Sequence, residues 1–254
     1  MTANALTGWM ASCLLLSLRL APVLALAPPF SLVRLPMLFR VLLAFGLSAS
    51  IASFNPAAAV NVDFSLAGIL VPAIRELLLG SIFVLAFQLT FGAIYMAGRT
   101  VDIQAGYGLA LLIDPTSRSQ TPLVGTIFAY AAGAIFFAMN GHHDLLRILA
   151  ASLEAIPLGS AHFPSSPGPV IAFMSMVFVT ALGVAAGAIL SLFLVDIAIA
   201  VLARTAPQMN ALVLGFQVKT IVLLVVLPLT FGFSAALLAR LMTMTLEAIP
   251  GLLA

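Results

Sequence analysis

The run of residues 170–203 carries one charge, Asp196, in an otherwise apolar or small-residue stretch. As a helix rising 1.5 Å per residue it is about 50 Å long, against a hydrocarbon core of about 30 Å. A run of this length and polarity restricts the chain to a helical membrane protein. The rest agrees: 63% of the residues are hydrophobic and 7% charged, where soluble domains average roughly 45–50% and 25%. No polar stretch is long enough to form a separate soluble domain, so residues 1–254 read as a single membrane domain.

Charge and cysteine content remove several function classes. A formal charge of +2 with no basic run gives no footprint for nucleic acid. Cys13 is the only cysteine and lies in an apolar segment, so it forms no internal disulfide and reads as a small buried hydrophobe. Ala25-Leu26-Ala27 resembles a signal-peptide cleavage site. However, no basic residues precede the apolar run, Arg19 interrupts it, and Pro28 would follow the cut. Residues 1–27 are therefore expected to be retained.

Breakers divide the chain into seven predicted helices: 9–27, 35–54, 66–97, 123–139, 144–156, 170–203 and 211–239, with Pro228 expected to bend the last. The third and sixth are too long for a simple span and the fifth too short. Arg75, Glu76, Asp196 and Lys219 stand inside apolar runs. Each would cost roughly 2.5–3.5 kcal/mol at a bilayer centre, so either these charges face protein or the helices are not in lipid. Arg75 and Glu76 read as charges that fix helix register.

The sixth and seventh helices meet at a turn containing Arg204 and Pro207. In an antiparallel hairpin Asp196 and Lys219 then lie at one depth, about 12–14 Å from that turn. This is a buried, mutually neutralising pair that fixes register or, on a functional reading, a proton or ion relay. Adjacent histidines His142-His143 point apart and lack the i, i+3 or i+4 spacing of metal ligands. They read as a polar turn in which Asn140-Gly141 stops one helix and Asp144 caps the next. Gly106-Tyr107-Gly108 shares a tripeptide with potassium filters but lacks the residues before it and the pore helix. No nucleophile–base pair, phosphate loop or zinc motif is present, so no enzymatic activity and no cofactor are expected.

One further stretch is unusual. Leu109, Leu111, Leu112 and Ile113 form an apolar patch between Gly106-Tyr107-Gly108 and the polar run Asp114-Pro115 to Pro122, which includes Arg118. It is too short to span. An apolar loop at membrane depth is either packed in protein or lines a cavity. It reads as a re-entrant packing loop or as a stopper in a conduit.

Taken in order, several motifs resemble one family. They are Gln104-Ala105-Gly106-Tyr107-Gly108 to Asp114-Pro115, Thr121-Pro122-Leu123-Val124-Gly125, Asn140-Gly141-His142-His143 and Ile156-Pro157-Leu158-Gly159. Ala203-Arg204-Thr205-Ala206-Pro207-Gln208-Met209-Asn210 and Val213-Leu214-Gly215-Phe216 complete the set. Together they resemble the R subunit (FliR) family of the flagellar type III export gate and, more distantly, its injectisome counterparts. Gln217 departs from the family's usual small residue or proline.

The resemblance implies an all-α integral membrane protein of six or seven apolar helices, arranged as tilted hairpins with an internal plug loop. It implies a non-enzymatic channel subunit in the bacterial inner membrane, at the flagellar basal body. FliP-like and FliQ-like subunits, an FlhB-like gate subunit and membrane lipid are the expected partners, and unfolded flagellar proteins the cargo. It also implies that the plug is built from Gly106, Gly108, Leu109, Leu111, Leu112, Ile113, Asp114, Pro115 and Arg118. A proton-coupled secondary transporter using Asp196 or Glu76 is the alternative; no inverted repeat in the sequence supports it.

Overall fold

The computed structural model describes residues 3–54, 66–107, 122–160, 166–206, 208 and 210–253. Among these the secondary structure is helical: α1 Ala3–Leu26, a short 3-10 turn Phe30–Leu32, α2 Met37–Phe54, α3 Leu66–Gln104, α4 Leu123–Ala138, α5 Gly141–Ala155, α6 Gly168–Thr205 and α7 Ala211–Leu253. Five of these are long and apolar enough to cross a membrane. This is the fold class expected from composition.

Order and breaks follow the sequence reading, but some ends move. The third helix continues through Ala97 to Gln104, and the seventh continues through Ala239 to Leu253. Pro72 and Pro228 both lie within continuous helix. A proline forfeits one backbone bond, which neighbouring groups re-satisfy in a membrane helix, so it does not end one reliably. The fifth helix starts at Gly141, with Asn140 left-handed (φ 59°) at its cap, so Asp144 stands in the first turn. There it pairs with Arg147 at 3.2 Å on the surface.

The chain folds as two compact units, each assembled from separate stretches of sequence. The first comprises 1–89, 136–173 and 243–254, the second 90–135 and 174–242.

In the first unit α1 and α2 form an antiparallel hairpin. Trp9 Nε1 donates to Ser53 Oγ at one end (3.2 Å), and Arg40 donates to the Ala25 carbonyl at the other (2.8 Å). Ala44, Ser48 and Ala52, spaced four apart, are the buried positions of α2. Leu38, Leu42 and Phe45 are exposed. An edge-on aromatic cluster joins Phe30, Phe87, Phe136 and Phe137, with centroids 5.5–6.1 Å apart.

The backbones of α1 and α3 touch at Gly80, where a Cβ would stand 2.5 Å from the Arg19 carbonyl oxygen. One helical turn away lies the centre of this unit. Arg19 Nε donates to Glu76 Oε2 at 2.6 Å and its terminal nitrogen to Oε1 at 3.1 Å, with both side chains fully buried. Arg19 also donates to Ser152 Oγ (3.0 Å) and to the Ile156 carbonyl (3.1 Å). The Gly159 N–H donates to Glu76 Oε1 at 2.8 Å, while Arg75 donates to the Gly159 carbonyl at 2.9 Å. Adjacent residues of α3 thus grip both backbone polar groups of one residue, and α1, α3 and the end of α5 are pinned together.

A dry, bidentate, fully hydrogen-bonded pair is tolerated where a lone charge is not. Removing one member, as in Arg19→Met or Glu76→Leu, is expected to destabilise the protein by roughly 3–5 kcal/mol. The double variant Arg19→Met/Glu76→Leu should recover most of that. Thermal unfolding of the detergent-solubilised protein reads both, and two single losses that simply add would contradict direct pairing.

Candidate functional site

The second unit holds the anchorage of the segment 108–121. Of the plug residues named from the sequence, Gly108, Leu109, Leu111, Leu112, Ile113, Asp114, Pro115 and Arg118 lie outside the described residues, as does Pro207. Gly106 and the residues flanking the segment on both sides are described.

Before the segment, α3 ends at Gln104 and Gly106 follows with φ 89°, a conformation that glycine adopts without cost. The Gly106 N–H donates to the Ile103 carbonyl, closing the last turn. Gly106 and Tyr107 both meet Phe216 of α7. A Cβ at Gly106 would lie 3.2 Å from that ring, and the Tyr107 and Phe216 rings meet edge-on at 6.4 Å. Lys219, one turn further along α7, donates from Nζ to the Gln104 carbonyl at 3.0 Å. A cation at the C-terminal carbonyls of a helix satisfies an orphan acceptor and complements the helix dipole.

After the segment, the chain returns to the same helix. Both carboxylate oxygens of Asp102 accept from the Val124 N–H, each at 3.1 Å, at the start of α4. Asp102 is 5% exposed. It fills the role of an N-cap from a different helix, satisfying one of the donors that a helix start leaves free. The backbones also touch: a Cβ on Gly98 would overlap Val124 and Gly125, and one on Gly125 would stand 2.9 Å from the Tyr95 carbonyl. Tyr95 Oη and Thr126 Oγ1 lie 3.1 Å apart. Entrance and exit of the segment are therefore both held on the last turns of α3.

The hairpin of α6 and α7 supports this anchorage. Ile199 contacts Gly215, Thr230 contacts Gly187, and Ser234 Oγ donates to the Val184 carbonyl at 2.7 Å. These pairings step along the two helices in opposite directions, so the helices are antiparallel. Lys219 Nζ stands 2.5 Å from Asp196 Oδ1. The two side chains are 18% and 42% exposed, so the pair is only partly covered, where the sequence reading has it buried. Both helices present apolar side chains outward, among them Phe193, Leu194, Ile197, Phe216 and Phe233. Arg204 is exposed at the end of α6.

Sequence reasoning does not find two of these contacts. The sequence reading gives Asp102 no role, and it takes Arg19 only as a break in an apolar run. The signal for Asp102 is its place two residues before the end of a helix that faces another helix start. Arg75 and Glu76 are brought to Gly159 and Arg19 in the first unit, and to none of the described residues flanking 108–121. The His142 and His143 rings lie close together, centroids 4.2 Å apart and planes tilted by 52°, where the sequence reading has them point apart, and His142 also meets Phe137.

The described contacts hold the residues that flank 108–121 and leave apolar side chains of α6 and α7 exposed. Comparison with known proteins gives these contacts a context. The family described as bacterial export proteins, family 1, matches residues 10–245. Flagellar biosynthetic protein FliR of Bacillus subtilis (strain 168) is 28% identical over 260 residues, covering 99% of this chain and 98% of that protein. FliR of Aquifex aeolicus (strain VF5) is 30% identical over 200 residues, 77% of each chain. Yop proteins translocation protein T of Yersinia pestis is 29% identical over 150 residues, 58% of this chain and 57% of that protein. The match runs from α1 into α7 and so draws on both units; the chain belongs to the bacterial export proteins, family 1.

Proposed function

We propose that this chain is a non-enzymatic, channel-forming subunit of the flagellar type III export gate in the bacterial inner membrane. It assembles with FliP-like and FliQ-like subunits, contacts an FlhB-like subunit, and passes unfolded flagellar proteins. The observation that carries the reading is the similarity to FliR along nearly the whole chain. The physical support is the mismatch of helices with lipid. α6 and α7, of 38 and 43 residues, are about 57 and 64 Å long. Lipid covers about 30 Å of apolar helix, so the remainder calls for protein.

Within that reading residues 106–122 are the stopper of the conduit. A passage wide enough for an unfolded chain leaks ions unless it is shut at rest. An apolar stopper shuts it by excluding water and gives way without breaking strong ionic contacts. Leu109, Leu111, Leu112 and Ile113 supply that bulk. Asp102 and the Gly98–Gly125 contact hold its exit, and the Lys219–Gln104 contact holds its entrance, so it is tethered at both ends to one helix.

Three outcomes follow. Solubilised from membranes with its neighbours, the chain should run as a stable complex with two kinds of small helical partner and be short-lived alone. A long-lived monomeric or dimeric particle would instead fit a transporter. Deleting part of 109–113 should leave the complex assembled and raise ion conductance of the inner membrane; lost assembly with no leak would make the segment packing material. Finally, Asp102→Ala leaves the Val124 N–H without its acceptor, at a cost of roughly 1–3 kcal/mol. It should produce a weaker leak in an assembled complex, whereas a tight membrane with this variant would dissociate the clamp from the closure.

A further inference from the structure

Asp196 stands out among the charges of this chain because its partner leaves most of it unused. An ionised carboxylate has about four acceptor positions, and an ammonium three donors. Lys219 spends one donor on Asp196 Oδ1 and one on the Gln104 carbonyl. Asp196 accepts from Lys219 through one oxygen and is 42% exposed. The pair is neutral as a whole and Lys219 keeps one donor, but the carboxylate is its more exposed member, 42% against 18%, so the unfilled capacity that faces outward is chiefly the acceptor capacity of Asp196.

Along α6 its exposed neighbours are apolar. Phe193, Leu194 and Leu190 are exposed towards one end of α6, and Ile197, Val201 and Leu202 towards the other. Phe216 is exposed one turn before Lys219 on α7. Lipid tails offer a carboxylate no donor. Headgroup amines stay at the polar boundary, whereas a donor that reaches Asp196 has to cross apolar surface. The carrier that does so is an apolar helix with one basic side chain.

We infer that the free oxygen of Asp196 is a docking point for a neighbouring subunit, taking a Lys or Arg from an otherwise apolar helix laid along α6. This deepens the assembly proposed above and rests on it, naming the place and the chemistry of one contact. Lys219 is then a positioning residue: it orients the carboxylate and ties the contact to the end of α3. A single charged pair inside an apolar interface fixes register and rejects wrong neighbours more than it adds affinity.

The test uses the full chain expressed with its partner subunits in bacterial inner membranes, with a photo-crosslinking residue at Ile197. Three forms are compared: the natural pair, Asp196→Lys/Lys219→Asp, and Asp196→Asn. The exchange keeps a Lys–Asp pair across the hairpin and reverses the charge it presents outward. The natural pair should give a protein adduct whose crosslinked peptide carries Lys or Arg within a helical turn of the linked residue. The exchange should lower that adduct about tenfold or more at unchanged chain level, and Asp196→Asn should lower it less. If the exchanged chain fails to accumulate, Asp196→Asn decides alone, since it keeps the shape and removes the charge. An undiminished adduct in the variants, a peptide with no basic residue, or an adduct to lipid alone overturns the docking contact while leaving the assembly reading intact. A natural-pair chain that purifies with no partner overturns both.

Discussion

A charge placed in an apolar helix has to find its counter-charge in protein, and that requirement orders this chain. Glu76 is the strictest case. Its carboxylate is fully buried and accepts three hydrogen bonds, two from Arg19 and one from the Gly159 backbone. Satisfying it brings together α1, α3 and the turn after α5. In the second unit Asp196 and Lys219 obey the same rule: they bridge a hairpin, and Lys219 also closes a helix end, while Asp102 is met by the backbone N–H of a helix start. With only 7% of the chain charged, such contacts are few and each settles the placement of a whole element.

What these contacts hold differs between the units. The first is built around a closed ionic centre with its polar groups paired internally. The second brings polar contacts to the residues that flank 108–121 and leaves the Asp196 carboxylate partly covered.

Helix order is legible in the sequence because Pro, Gly and Asn mark the breaks and the runs between them are almost uniformly apolar. Asp196 and Lys219 can be set opposite each other by counting from the turn, since a hairpin leaves only one register. The pairing of Arg19 with Glu76 is not legible. The residues are 57 apart, and hydropathy carries no information about which buried charge meets which. Asp102 escapes for a related reason: a cap supplied from another helix leaves no local pattern of the kind that Ser-x-x-Glu does. The helix ends at Gln104 and Leu253 lie beyond the expected ones because small and polar residues near a helix end read as breakers when packing is unknown. The partial exposure of Asp196 depends on side-chain packing around the hairpin, which counting residues from the turn does not give.

The central claim is that protein, and not lipid, covers the outward apolar faces of α6 and α7. Photo-crosslinking at successive exposed positions tests it most directly, in intact membranes, from Val179 and Leu190 on α6 to Leu224, Leu229 and Phe233 on α7. The account predicts adducts to other protein subunits along the length of both helices, beyond the roughly 30 Å that a bilayer spans. Adducts to lipid along one bilayer-thick band, with no protein adduct on either side of it, would contradict it.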